Sequence, residues 1–172
     1  RFQWTDIPAL AKLENRLQAG QEDAMPVTER WLGEYLGQPN LNVTEDCFLY
    51  EANGGLRGYA LVCLEPPIRR GVMEMKALPD AGNQDVERAL VRRALQRAAQ
   101  LGATVLHSQV DRPSPLDRLL TEEGFQPVRV YLNMRWEVQP LPSAPPPEGF
   151  SFRKYGLPGD AATLARIQNA AF

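Results

Sequence analysis

The sequence holds little of the chemistry that usually announces an enzyme. It has one histidine, two cysteines and a net charge of −2 over 172 residues. The one histidine, His107, sits alone in a strand-like run, so a packed or exposed structural role is favoured over a catalytic one. No Ser/His/Asp set, no metal-ligand cluster and no Gly-Lys-Ser phosphate cradle is present. Cys47 and Cys63 both fall in apolar, strand-like surroundings and read as buried thiols rather than as a disulfide or a metal site. A cytoplasmic location is the expectation that follows. The near-neutral charge argues against nucleic acid as the main partner, which usually needs a basic face. No apolar run approaches the roughly 20 residues of a membrane span. No signal-peptide pattern is read, and the chain opens on Arg1 rather than Met, so a native N-terminus upstream is expected.

What is present suits one domain of ordinary size with a sizeable core, with length to spare for a fragment of another: 44% of the residues are hydrophobic. The chain is organised around Gly71 to Gly102. A strand is expected over Val72 to Leu78, stopped by Pro79, and a polar loop from Asp80 to Gln84 follows. A helix is then expected from Asp85 to Gly102. Val86, Leu90, Ala94, Ala98 and Leu101 recur every third or fourth position, with Arg88, Arg92, Arg93 and Arg97 mostly on other faces. A strand, a tight loop and a helix N-terminus make an anion site by construction, because unpaired N–H groups and the helix dipole point outward.

Two helices precede this stretch. The first is capped by Asp6 with Pro8 in its first turn and Leu10, Leu13 and Leu17 on one face. The second covers Val27 to Leu36, with Trp31, Leu32, Tyr35 and Leu36 on its buried side. Strands over Asp46–Glu51 and Leu56–Leu64 flank Asn53-Gly54, a strong hairpin signal, and with the strand at Val72 they form an antiparallel meander. After the central helix, Thr104–Val110 is expected to pair parallel to that strand. Parallel strands that splay at their C-terminal ends leave a crevice where ligands commonly sit. A helix from Pro115 to Glu123 ends at Gly124-Phe125. Val128 to Val138 then alternates apolar and polar residues as a strand.

This order, with a strand ending Ala77-Leu78-Pro79-Asp80, a loop and helix, the strand from Thr104 to Asp111 and the Leu116–Phe125 segment before a last strand, resembles a GCN5-related N-acetyltransferase (GNAT) domain. The resemblance covers nearly all of Arg1 to Val138. It implies an α/β fold: a mixed, mostly antiparallel sheet of six or seven strands flanked by helices, with a parallel splayed strand pair at the centre. It implies acetyl-CoA as cofactor and acyl transfer to a small-molecule or peptide amine. The family's cofactor loop corresponds to Ala77, Leu78, Gly82, Asn83, Gln84, Asp85, Val86, Glu87 and Arg88. Its Gln/Arg-x-x-Gly-x-Gly/Ala motif falls on Gly82, Asp85 and Glu87, and none matches. Glycines serve there because pyrophosphate must approach the backbone closely. Asp85 and Glu87 instead place carboxylates in the first turn, where they favour the dipole and accept the orphan N–H bonds. A self-capped helix start is favoured over a working cofactor loop, unless Arg88 turns inward.

Amine acetylation also needs a base and a group to protonate the leaving thiolate. Glu74, on the strand before the loop, lies where many family members place a base; a solvent-facing or ion-paired glutamate is the competing reading. The family's usual acid, a tyrosine, is here Leu120, and Tyr131 is the substitute candidate. Trp31 and Tyr35 fall where the family walls its acceptor cleft; core packing is the favoured reading for Trp31, and for Tyr35 the two readings stand even.

Gln139 to Gly149 is a proline-rich linker. Phe150 to Arg153 then reads as a new strand and Asp160 to Phe172 as a new helix. Asp6, Leu10, Ala11, Lys12, Leu13 and Asn15 match Asp160, Leu164, Ala165, Arg166, Ile167 and Asn169, each pair about 154 residues apart, a domain-sized period for internal duplication. The expected organisation is a GNAT-like domain over 1–138, a linker over 139–149, and the opening strand and helix of a second repeat over 150–172. Tandem GNAT proteins of the mycothiol synthase-like type have this layout. Two functions lead: a two-repeat N-acetyltransferase whose first repeat is degenerate, or a GNAT-fold domain that binds a ligand or partner without catalysis. A third, less favoured, is catalysis by this repeat with a displaced loop and Glu74 as base. Homo-oligomerisation is also open.

Overall fold

A computed structural model describes residues 1–20, 24–39, 41–79, 83–132, 134, 144–156 and 158–171. They fall into two compact units, Arg1–Arg129 and Val130–Phe172.

The first unit opens with a 3₁₀ turn, Trp4–Asp6, and helix α1, Ile7–Leu17. The Asp6 carboxylate reaches back to accept from the Gln3 amide at 2.7 Å, while Pro8 sits in the first turn, where no N–H is needed. Helix α2, Glu29–Leu36, starts at Thr28, whose hydroxyl accepts from the Trp31 amide at 3.1 Å. A one-turn helix α3, Val43–Asp46, leads into strand β1, Cys47–Ala52. Asn53 and Gly54 take φ of 54° and 75°, the left-handed pair a tight hairpin demands, and return the chain as β2, Gly55–Glu65. After a 3₁₀ turn, Pro66–Ile68, comes β3, Arg70–Ala77. Helix α4, Asn83–Gln100, ends where Gly102 takes a φ of 76°. Strand β4, Val105–Ser108, and helix α5, Pro115–Glu122, complete the unit; the Ser114 hydroxyl caps α5 by accepting from the Asp117 amide at 3.1 Å.

The sheet order among the described residues is β1-β2-β3-β4, with β1, β2 and β3 antiparallel and β3 parallel to β4. Strand period splits the core in two. Leu10, Leu13, Leu32 and Leu36 from α1 and α2 pack with Tyr59 and Leu61 on one face. Leu90, Val91, Ala94, Leu119 and Leu120 from α4 and α5 pack with Ala60, Val62, Met73 and Met75 on the other. Arg97 of α4 holds the buried carboxylate of Asp46 at 2.7 Å, tying the helix to the start of β1.

The expected mixed sheet with helices on both faces is present, with differences of detail. The described sheet has four strands, and its parallel pair lies at one edge. Helix α4 starts at Asn83, earlier than Asp85, so Asp85 lies in its first turn and Glu87 beyond it. The alternation from Val128 to Val138 forms no strand at Val128–Leu132 or Met134. Asn133 and the stretch 135–138 lie outside the described residues. Alternation fixes which side chains share a face but supplies no neighbouring strand, and an unpartnered strand is not stable in water; Val128, Val130 and Leu132 are exposed. For the same reason Phe150 to Arg153, in the second unit, is not a strand. That unit carries helix α6, Ala161–Ala171, preceded by Asp160, whose carboxylate accepts from Arg153 at 2.6 Å and from the Gly156 amide at 2.7 Å. No helix among the described residues is long and apolar enough to cross a membrane.

Candidate functional site

Glu74 sits on β3 between Met73 and Met75, which point into the α4 face of the sheet. Its carboxylate therefore emerges on the opposite face, beneath α1 and α2. There it accepts from the Tyr35 hydroxyl at 2.8 Å and lies 2.7 Å from the Tyr59 hydroxyl and 3.1 Å from the Lys76 ammonium. The Tyr59 hydroxyl is also 2.6 Å from Oε1 of Glu14 on α1, and Lys76 reaches both Glu14 oxygens at 3.0 and 3.2 Å. Two carboxylates, two phenols and one ammonium thus form a single network spanning α1, α2, β2 and β3. Glu14 is 4% exposed, an unusual burial for a charged side chain that only such pairing sustains.

The electrostatics follow from burial and charge balance. Burial pushes the Glu74 carboxyl up, but the Tyr59 hydroxyl, the Lys76 charge and the Tyr35 hydroxyl outweigh it and hold the group below its ordinary value. Burial pushes the Lys76 ammonium down, and the charges of Glu74 and Glu14 outweigh that in turn, holding it above its ordinary value. Burial first, then the Glu74 charge, raises both Tyr35 and Tyr59, so the two phenols remain protonated donors. Burial raises the Cys47 thiol to about 12, with the Glu74 charge adding to it.

In front of Glu74 lies a cleft of about 570 Å³, lined by Tyr35, Gln38, Cys63, Glu65 and Glu74 together with an apolar wall of Leu41, Leu61, Leu64, Pro66, Pro67, Ile68 and Val72. Tyr35 stacks on Trp31 with ring centroids 5.4 Å apart and planes 2° from parallel. Trp31 is 53% exposed, which corrects the expectation that it packs in the core. At 3.6 residues per turn, residue 31 lies about 100° around the helix from Leu32, off the face that holds Leu32 and Leu36.

On the other side of β3 the ladder to β4 ends at Met73 and Ser108, while β3 runs on to Ala77. Leu78 is buried on the α1 face and its amide donates to the Arg57 carbonyl at 2.9 Å, so both are already engaged. Of the cofactor-loop positions, Gly82 lies outside the described residues, and Asn83, Gln84, Asp85, Val86, Glu87 and Arg88 all fall within α4. Val86 packs against the core on the α4 face. Arg88 does not turn toward the loop: its guanidinium is held by Glu123 at 2.5 Å and by Glu122 at 2.6 Å. Glu87 is half-buried and burial raises its carboxyl. Leu120 is core. Tyr131 lies in the second unit and is largely exposed. His107 is exposed on β4.

The structure thus joins Glu74 with Tyr35, which sequence reasoning placed, and adds Glu14, Tyr59 and Lys76, which it missed. A glutamate on the apolar face of α1, one turn beyond Leu10, was the available signal for Glu14.

No family model matches the sequence. Among curated proteins, the mycothiol acetyltransferase of Mycolicibacterium vanbaalenii is 31% identical over 120 residues, covering 70% of this chain and 39% of the relative. That of Segniliparus rotundus is 32% identical over 133 residues, covering 76% of this chain and 49% of the relative. The chain therefore spans less than half the length of these relatives. Among solved structures, a putative acetyltransferase from Agrobacterium tumefaciens superposes with a TM-score of 0.57 at 19% identity, covering 78% of this chain and 96% of that one. The ribosomal-protein-S18-alanine N-acetyltransferase of Escherichia coli gives 0.57 at 21%, covering 74% and 76%. AAC(6')-Iy, solved with a CoA bisubstrate analogue, gives 0.55 at 16%, covering 78% and 93%.

Proposed function

We propose that the chain is a GNAT-superfamily domain forming one repeat of an acetyl-CoA-dependent N-acetyltransferase that acts on a small-molecule or peptide amine, a reading supported by its likeness to mycothiol acetyltransferases and by the shared fold. In this reading the repeat is degenerate on its cofactor side and built on its acceptor side. The acceptor side offers a carboxylate, Glu74, in reach of an amine in the cleft, with Trp31 and Tyr35 beside it. The cofactor side has Asp85 and Glu87 where the family has glycines, and Arg88, in the next position along α4, is committed to Glu122 and Glu123. That commitment of Arg88 is the observation that carries the degenerate reading, because a diphosphate would meet the Asp85 and Glu87 carboxylates while Arg88 is held elsewhere. Tyr131 remains the candidate acid.

The proposed organisation is a GNAT-like domain over 1–138, a linker over 139–149 and the start of a second repeat over 150–172. Helices α1 and α6 support it: each has 11 residues and follows an aspartate. In the first unit Leu10 and Leu13 are 1% exposed, whereas their counterparts Leu164 and Ile167 in the second are 48% and 58% exposed, an apolar face suited to a sheet like the one α1 covers. The protein is proposed to be cytoplasmic, and its chemistry to lie in the second repeat. A second reading, ligand binding without catalysis, is favoured by the formed cleft and the lost cofactor loop together.

Thiol release from acetyl-CoA over a panel of small amines tests the proposal. The two-repeat protein is expected to turn over and residues 1–172 are not. Turnover by residues 1–172 would overturn the degenerate assignment, and silence of both would leave the binding role.

A further inference from the structure

Glu14 lines no part of the cleft, yet it touches two of the groups that surround Glu74. The Tyr59 hydroxyl has one hydrogen and two carboxylate oxygens in reach, at 2.6 Å on Glu14 and 2.7 Å on Glu74. The Lys76 ammonium is shared in the same way, with two contacts to Glu14 and one to Glu74. Two negative charges therefore compete for one positive charge and one hydroxyl proton. With two carboxylates to one ammonium the network keeps one net negative charge, and Glu74 is the carboxylate of the two that faces the cleft.

We propose that Glu14 is a positioning residue: by drawing Lys76 and the Tyr59 hydroxyl toward the interior, it keeps the Glu74 carboxylate incompletely neutralised and open to a cation in the cleft. This rests on the amine-acceptor reading of the cleft, and it assigns Glu14 a role through other groups, with no contact to the ligand. The groups facing Glu74 are Glu14 from α1, Tyr35 from α2, Tyr59 and Cys63 from β2, Cys47 from β1 and Lys76 from its own strand. Among them Lys76 is the only cation, so removing either competitor for it shifts Glu74 in a known direction. Glu14→Gln removes the charge that competes for Lys76, while its amide oxygen can still accept from the Tyr59 hydroxyl. Lys76→Met removes the compensation altogether.

The test is ¹³C NMR of the full chain labelled at glutamate side-chain carboxyls, with the Glu74 signal assigned by its loss in Glu74→Gln. Glu14→Gln is expected to move the Glu74 midpoint to lower pH and Lys76→Met to higher pH. A direct charge effect of Glu14 on Glu74 would persist without Lys76, so the signature is that the shift caused by Glu14→Gln shrinks to about half or less in the Lys76→Met background, and an undiminished shift there would overturn the proposal. Absence of movement, or movement in the same direction, would overturn the proposal. If Glu14→Gln does not fold, Glu14→Asp carries the test: its shorter carboxylate reaches Lys76 and Tyr59 less well, so the Glu74 midpoint is expected to fall, and no fall would overturn the proposal. Titrating n-butylammonium against n-butanol into the same chain tests the acceptor reading separately. The cation is expected to bind at least tenfold more weakly to Glu14→Gln than to the wild-type chain, and equal binding of cation and alcohol would overturn that reading while leaving the NMR result to stand or fall alone.

Discussion

Replacing Tyr59 with phenylalanine removes one oxygen from the centre of the network and leaves the ring to fill its place. The hydroxyl stands 2.6 Å from Glu14 and 2.7 Å from Glu74, but with one hydrogen it donates one bond at a time. A hydrogen bond to a charged group contributes about 1.5–3 kcal/mol, so the loss should be about 2 kcal/mol. For a chain of this length that lowers Tm by about 4–8 °C. The pH dependence has a definite sign. Glu74 is held below its ordinary value when folded, so its stabilisation is present above the ordinary carboxylate range and is lost as pH falls through the folded value. Tyr59 supplies part of that lowering, so the deficit of Tyr59→Phe should be largest near neutrality and shrink on acidification. Urea denaturation of both chains between mildly acidic and neutral pH measures it. A deficit below about 0.5 kcal/mol at neutrality, or one that grows in acid, would refute the network as drawn.

Two further outcomes follow from local geometry. A Cβ at Gly58 would stand 2.9 Å from the Lys76 carbonyl oxygen and 3.0 Å from the Ala77 Cβ, so Gly58→Ala should cost about 1–3 kcal/mol in chemical denaturation. At Gly71 the close atom is the Leu106 Cδ1, the end of a flexible side chain, so Gly71→Ala should cost less; the reverse order would contradict the β2–β3 register. In thiol labelling at mildly alkaline pH, Cys63, half-buried, should react before Cys47, which is buried and raised to about 12, so that Cys47 reacts only as the chain unfolds.

Local signals read well from the sequence wherever the physics was local. Asn53-Gly54 fixed the hairpin because two consecutive positive φ values exclude most other residues. Gly102 and Gly124 marked helix ends for the same reason, with φ of 76° and 92°. Met73 and Met75 opposite Glu74 followed from strand period alone. The signals that failed were those needing a partner. Val128 to Leu132 alternates as a strand should, but alternation cannot supply the neighbour that completes a ladder. Asn83 and Gln84 read as the end of a polar loop, yet both lie in the first turn of α4, so composition marks the helix start only to within two residues. Glu14 lies 60 residues and a fold away from Glu74, so periodicity could flag it as misplaced on an apolar face and nothing more. Lys76 was hidden in the same way, since its two partners come from different elements.

The central claim is that this repeat has kept the acceptor side of the fold and lost the cofactor side. Calorimetric titration of acetyl-CoA into residues 1–172, beside the two-repeat protein, tests it most directly. The account predicts no binding to residues 1–172 and micromolar binding to the two-repeat protein. Micromolar binding to residues 1–172 would contradict it, and would mean that the start of α4 cradles a pyrophosphate despite Asp85, Glu87 and the engaged Arg88.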